Sequence, residues 1–319
     1  MSLRNNRLPM IMVMGMTGSG KSYFINKVAG KQMVKEGASL SSCTQYCTIS
    51  CVSVAGMGAL VVDTPGFDDT VRSDADILNE IARLLIGQIT LGFELKGMIY
   101  LHKITDNRYT QAAGNTFEIF KRICGTIAME NVMLVTSHWD HVDEQTGTSR
   151  ERELQEKFWA SMIEQGSQIR RYYGDIESAR GIAAEVLLKK PVMLQLQDEM
   201  IHGNKILDKT AAGSYIDHNL IRKKTDIEIE LKNLEEIYLQ HGEGDELDWK
   251  TRTTELWDTE RQRENLRSDI VGEAESETRT RRSTWLAGMG RIIIGSLTLA
   301  VNLVLLFAGL PTMDESMSV

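Results

Sequence analysis

The run GMTGSGKS, from Gly15 to Ser22, fits G-x-x-x-x-G-K-[ST] in full and follows a short apolar stretch, Met10 to Met14. Glycines in such a run let successive backbone N–H groups converge on one anion, and the positive end of the following helix adds to the field. Lys21 can reach β- and γ-phosphates, and the Ser22 hydroxyl can ligate Mg²⁺. Gly15, Thr17, Gly18, Ser19, Gly20, Lys21, Ser22 and Tyr23 are the expected wall around a nucleotide. A second element, LVVDTPGFDD, places Asp63 directly after an apolar run, 42 residues beyond Lys21 (63 − 21). An aspartate at this spacing holds Mg²⁺, and the Gly66 N–H can sense a γ-phosphate. Thr44, in SLSSCTQYCT between the two motifs, is the expected second metal-ligating residue, with Thr48 the runner-up.

The choice of base rests on TSHWD, Thr136 to Asp140. In a [NT]-K-x-D element the aspartate accepts hydrogen bonds from N1 and N2 of guanine. Adenine presents no such pair of donors, so Asp140 selects GTP and GDP over ATP if it faces the base. His138 stands where lysine is usual and is expected to stack on the base or cap the ribose. Glu177–Ala179, reading ESA, supplies Ser178 and Ala179 as the pair that braces the base from the other side. The water-orienting glutamine of Ras-like enzymes follows the D-x-x-G glycine; here that position is Phe67. Phenylalanine cannot hold a water, so slow hydrolysis is expected.

These loops need strands to carry them. Apolar runs at Met10–Met14, Thr48–Val54, Ala59–Val62, Gly97–His102 and Asn131–Thr136 alternate with helical stretches such as Tyr23–Lys31, Ser73–Gly87 and Gln111–Cys124. The alternation predicts an α/β fold, a doubly wound, mostly parallel sheet with its ligand beyond the carboxyl ends of the strands. The domain is expected to span 8–190. A charged, α-helical extension follows over 191–284. In it Leu220, Ile227, Leu231, Leu234 and Tyr238 form a narrow apolar stripe, either a coiled-coil seam or a helix pair packed within the chain. A second helix is expected over Asp248–Thr284. Residues 292–310 carry no charge across nineteen positions, roughly 28 Å as a helix, and arginines 279, 281, 282 and 291 precede them. That pattern predicts a transmembrane tail anchor with the preceding domain in the cytosol, the organelle being undetermined.

The 319 residues carry a net charge of −8, which argues against a nucleic-acid partner. The four cysteines make no disulfide framework. Cys43, Cys47 and Cys51, four apart, would face one side of a strand as small hydrophobes in a reducing compartment.

Taken in order, GMTGSGKS, SSCTQ, DTPGFDD, YLHKITDNR and TSHWD resemble GTPases of the avirulence-induced and immunity-associated (AIG/GIMAP) type over about residues 8–190. The likeness is greatest to fungal G-domain proteins with W-D in the base motif; septins and chloroplast-import GTPases are more distant relatives. The resemblance implies a P-loop GTPase fold, Mg²⁺ and GTP/GDP as ligands, and a homodimer formed across the nucleotide face. It also implies that Arg108, in TDNRYT, acts as a finger across that dimer; Arg72, just after DTPGFDD, is a weaker candidate by its position. His138 departs from the lysine common among immunity-associated members. The expected function is slow, dimerisation-stimulated GTP hydrolysis at a membrane. The alternative is a GTP-gated scaffold that recruits a partner through 219–282 without useful hydrolysis.

Overall fold

The computed structural model describes residues 8–34, 46–69, 72–241 and 246–274. The first half runs β1 (Pro9–Gly15), α1 (Lys21–Ala29), β2 (Thr48–Val54), β3 (Met57–Asp63), α2 (Asp74–Leu91), β4 (Glu94–Lys103) and α3 (Gln111–Cys124). It continues with β5 (Val132–Ser137), α4 (Glu144–Glu153), α5 (Ala160–Glu164), β6 (Gln168–Arg171) and α6 (Ile176–Leu187). Helices α7 (Gln195–Ile201), α8 (Ala211–His241) and α9 (Glu246–Asn265) follow.

The strands form one six-stranded sheet in the order β2-β3-β1-β4-β5-β6. All pairs are parallel except β2–β3, a hairpin turned by Ala55 and Gly56, both at positive φ as a tight two-residue turn requires. Successive strand residues face opposite sides. Met10, Met12 and Met14 therefore enter one apolar layer while Ile11 and Val13 enter the other. Helices α1 and α6 cover the second layer, and α2, α3 and α7 contribute to the first. The five expected strands are present. The sixth, QIRR at the sheet edge, has no apolar run, and its residues are exposed or half-buried.

The extension is not separate at its base. Leu194, Leu207, Ala212, Ile216 and Leu220 share the first apolar layer with Leu266 and Ile270. Asn79 on α2 donates to Asn265 O (2.7 Å) and Ser268 Oγ (2.6 Å), and Asn265 Nδ2 donates to Asp76 Oδ1 at 2.6 Å. Helix α9 packs on α8 within the chain and covers the first part of the stripe. Leu220 and Ile227 are buried, Leu231 and Leu234 half-buried, and Tyr238 exposed. Arg263 to Asp217 at 2.8 Å, with Lys224 to Glu260, ties the two helices along the same seam. The expected second helix is interrupted: α9 ends at Asn265, the chain turns to bury Leu266, and helix resumes over 270–274, while 275–284 lies outside the described residues. Among the described residues no helix is long and apolar enough to cross a membrane; 292–310 lies outside them.

Candidate nucleotide-binding site

The loop from β1 to α1 sits at the carboxyl end of the central strand, and its glycines are there for steric reasons. A Cβ on Gly15 would lie 2.2 Å from Leu101 O, at a φ of +146°. Gly20, at φ 91°, starts α1 in the left-handed region, and no side chain caps the helix. Its first N–H groups face the loop, the arrangement that suits a phosphate. Thr17 Oγ1 and Ser19 Oγ are buried beside them without a hydrogen-bond partner among the described residues. Orphaned hydroxyls are costly in a core and fit a polyanion that supplies acceptors.

Lys21 is buried in the same loop and donates to Gly15 O at 3.0 Å and Met16 O at 2.9 Å. Burial pulls its pKa down to about 8, against the raising influence of Asp63 and Asp69. Ser22 Oγ donates to Asp63 Oδ2 at 2.6 Å, so two of the three expected metal ligands meet. Asp63 ends β3 opposite Val13 and is fully buried. Thr64 Oγ1 donates to Val13 O at 2.9 Å and fixes the turn that follows. Thr44 lies outside the described residues, while Thr48 stands opposite Asp63 in the β2–β3 register.

Gly66 presses on the P-loop: a Cβ there would be 2.4 Å from Thr17 N and 2.6 Å from Thr17 Oγ1. Next to it Phe67 forms a parallel bridge with Met16, its side chain fully buried in the apolar layer. The position after the glycine thus offers a phenyl ring to the core and no polar group to solvent. Arg72 is committed to Glu80 and to Asp76 O. Arg108 is exposed on the β4–α3 connection, at the rim of a cleft of about 280 Å³ shared with His102, Asp106, Arg150, Glu153 and Phe158. It makes no hydrogen bond to Lys21, Ser22 or Asp63 among the described residues.

The base motif closes the other end. Ser137 Oγ donates to Ser19 O at 2.9 Å, joining β5 to the P-loop. His138 takes a left-handed backbone, φ 62°. That conformation costs a non-glycine residue about 1 kcal/mol. Its ring lies 3.0 Å (Nδ1) from Ser137 Oγ and 3.3 Å (Cε1) from where a Gly20 Cβ would sit. Burial, then the nearby His141, lowers its pKa, so a neutral imidazole covers the loop where a lysine would bring charge. The Asp140 carboxylate is 66% exposed, with His141 Nε2 at 3.5 Å.

Between His138 and Asp140 stands Trp139, which is buried and held on several sides. Its indole N–H reaches Thr136 Oγ1 (3.0 Å) and Thr136 O (3.2 Å). Thr136 Oγ1 donates to Glu151 Oε1 at 3.0 Å. The Arg171 guanidinium bonds Glu151 Oε2 through Nε (2.8 Å) and Nη2 (2.7 Å), and its carbon lies 4.1 Å from the Trp139 ring centroid.

Ser178 and Ala179 are not in the loop that follows β6. They lie in the first turn of α6, because Asp175 caps that helix by accepting from Ser178 N at 2.7 Å. Ala179 is fully buried in the second apolar layer and its N–H donates to Asp175 O at 3.3 Å, so neither its methyl nor its N–H is presented to a base. The residues that occupy that loop are Tyr172, Tyr173, Gly174 and Asp175. Tyr23 on α1 is 3.8 Å from the Cβ position of Gly174, and Tyr173 is 6.4 Å from Trp139 between ring centroids.

A model of the AIG1 family matches residues 9–160. Immune-associated nucleotide-binding protein 7 of Arabidopsis thaliana is 31% identical over 135 residues, 42% of this chain and 42% of that protein. The chain therefore spans less than half the length of this curated relative. Toc33 of Arabidopsis thaliana, solved with Mg²⁺ and GMPPNP, has 15% identity and a TM-score of 0.46, covering 59% of this chain and 89% of its own. Era of Aquifex aeolicus, bound to GDP and AlF₄⁻, has 15% identity and a TM-score of 0.41, covering 58% and 57%.

Proposed function

We propose that the chain, whose residues 9–160 match a model of the AIG1 family, binds GTP and GDP with Mg²⁺ and hydrolyses GTP slowly. The carrying observation is the joint between β1, β3 and β5: an uncapped helix start, two buried orphan hydroxyls and the Ser22–Asp63 pair meet around one loop. Hard oxygen donors of this kind suit Mg²⁺, which would neutralise charge on the β- and γ-phosphate oxygens when bound. Lys21 would exchange its two carbonyl partners for phosphate oxygens, a stronger, charge-assisted contact. The Gly66 N–H would report the γ-phosphate, and Asp140 would read guanine.

Phe67, turned into the core, leaves the attacking water without a side chain from its position, which supports slow turnover. Arg108, exposed and outside the loop, is the group available to a second G domain. We assign 292–310 the role of a membrane anchor, with the G domain in the cytosol. Binding of labelled GDP, GTP and ATP to the full chain, with Mg²⁺ varied, tests the core of this reading. Equal competition by ATP would refute it. Turnover per protein should rise with protein concentration and fall in Arg108→Ala. GTP that stays uncleaved at every concentration would instead support a GTP-gated scaffold.

A further inference from the structure

We propose that Trp139, clamped by Arg171 and Glu151, is the positioning residue that aims Asp140 at the base and so sets guanine selectivity; this rests on the GTP/GDP reading above. The Asp140 carboxylate is too exposed to be fixed by its own contacts, and His141 at 3.5 Å does not hold it. Its direction is inherited from the backbone of the preceding residues. His138 is in the left-handed region, so the chain reverses sharply just before Trp139. The indole then acts as the anchor of that reversal. One edge is pinned by Thr136 O and Thr136 Oγ1, and one face by the Arg171 guanidinium. Gly147 on α4 abuts the ring, where a Cβ would come within 2.6 Å of Trp139 Cζ3.

The clamp spans three elements. Arg171 on β6 pairs in register with Thr136 on β5, and Glu151 rises from α4 to meet both. Arg171 also reaches Glu144 Oε1 at 2.6 Å and Thr148 Oγ1 at 3.2 Å, so its plane cannot rotate away from the indole. A guanidinium stacked on an aromatic face and forked onto a carboxylate is an orienting device that lysine does not reproduce. Trp139, Arg171 and Glu151 act through Asp140.

The test compares GDP with IDP, which lacks the exocyclic 2-amino group, and with ADP, in the full chain with Mg²⁺. Their affinity ratio reads the Asp140 contact and is blind to the phosphates. One hydrogen bond to a charged acceptor leads us to expect wild type to prefer GDP over IDP about 10- to 100-fold. Gly147→Ala, which displaces the indole without touching the charges, should reduce that preference to about threefold or less while leaving IDP affinity within about twofold. Arg171→Met with Glu151→Gln should do the same without stranding a buried charge. Trp139→Phe, which keeps an aromatic ring and drops the N–H, should give an intermediate ratio and guards against a folding defect in the others. A wild-type ratio preserved in folded variants, or equal losses for GDP and IDP, would overturn the positioning role. A wild type that does not prefer GDP to ADP would overturn the GTP/GDP reading and this proposal together.

Discussion

Lys21→Met separates what the loop does for nucleotide from what it does for stability. In this structure the ammonium is buried and holds two loop carbonyls, and burial brings its pKa from 10.5 to about 8. A shift of that size means the charged form carries a penalty of roughly 3 kcal/mol relative to a neutral lysine. Methionine removes the penalty and keeps the apolar volume, but it leaves Gly15 O and Met16 O short of a donor, about 1–3 kcal/mol. The two effects nearly cancel, so nucleotide-free stability should stay within about 1 kcal/mol of wild type. Stabilisation by GDP and Mg²⁺, about 2.7 kcal/mol at a hundredfold excess over Kd, should vanish. Urea denaturation with and without nucleotide measures both. The pH dependence supplies the sign check. Between about pH 8 and 10.5 the unfolded lysine holds more protons than the folded one, so wild-type stability should rise with pH there. The Met variant should lack that rise. Identical pH slopes, or a nucleotide-free loss above about 2 kcal/mol, would refute the account of a charge held at a cost.

Two further perturbations probe the neighbouring joints. Gly66→Ala places a Cβ 2.4 Å from Thr17 N. It should push the Asp63–Phe67 segment off the P-loop at about 1–3 kcal/mol and abolish any difference between GTP and GDP affinity; unchanged values in denaturation and binding would contradict the contact. Asn79→Leu removes two hydrogen bonds that hold α2 to the turn after α9. Amide hydrogen exchange over 266–273 should quicken while nucleotide affinity stays level, and unaltered exchange would show that the joint does not depend on Asn79.

What the sequence makes legible follows the distance along the chain over which a feature is built. The P-loop uses consecutive residues: Gly15 and Gly20 are demanded by backbone close approach and positive φ within eight positions, so composition alone exposes them. Asp63 and Ser22 are also legible, since each sits at a strand or helix end whose spacing is set by the fold. Ser178 and Ala179 mislead for an equally local reason. Asp175 is a ready N-cap three residues before Ser178, and that cap carries the pair onto the helix. The clamp on Trp139 has no such signature. Arg171 comes from QIRR, a short edge strand whose charged residues give no hydrophobic period, so neither the strand nor its register with Thr136 is visible. The same holds for the α8 stripe, whose spacing shows that something must cover it without saying what. The cover of its first part is α9, held by Arg263 on Asp217, 46 residues back along the chain. Binding chemistry in this protein is thus written locally, while the groups that aim it are supplied by pairing between distant strands and helices. Substitutions at Arg171 or Glu151 would accordingly look neutral to any motif and still alter which base the site accepts.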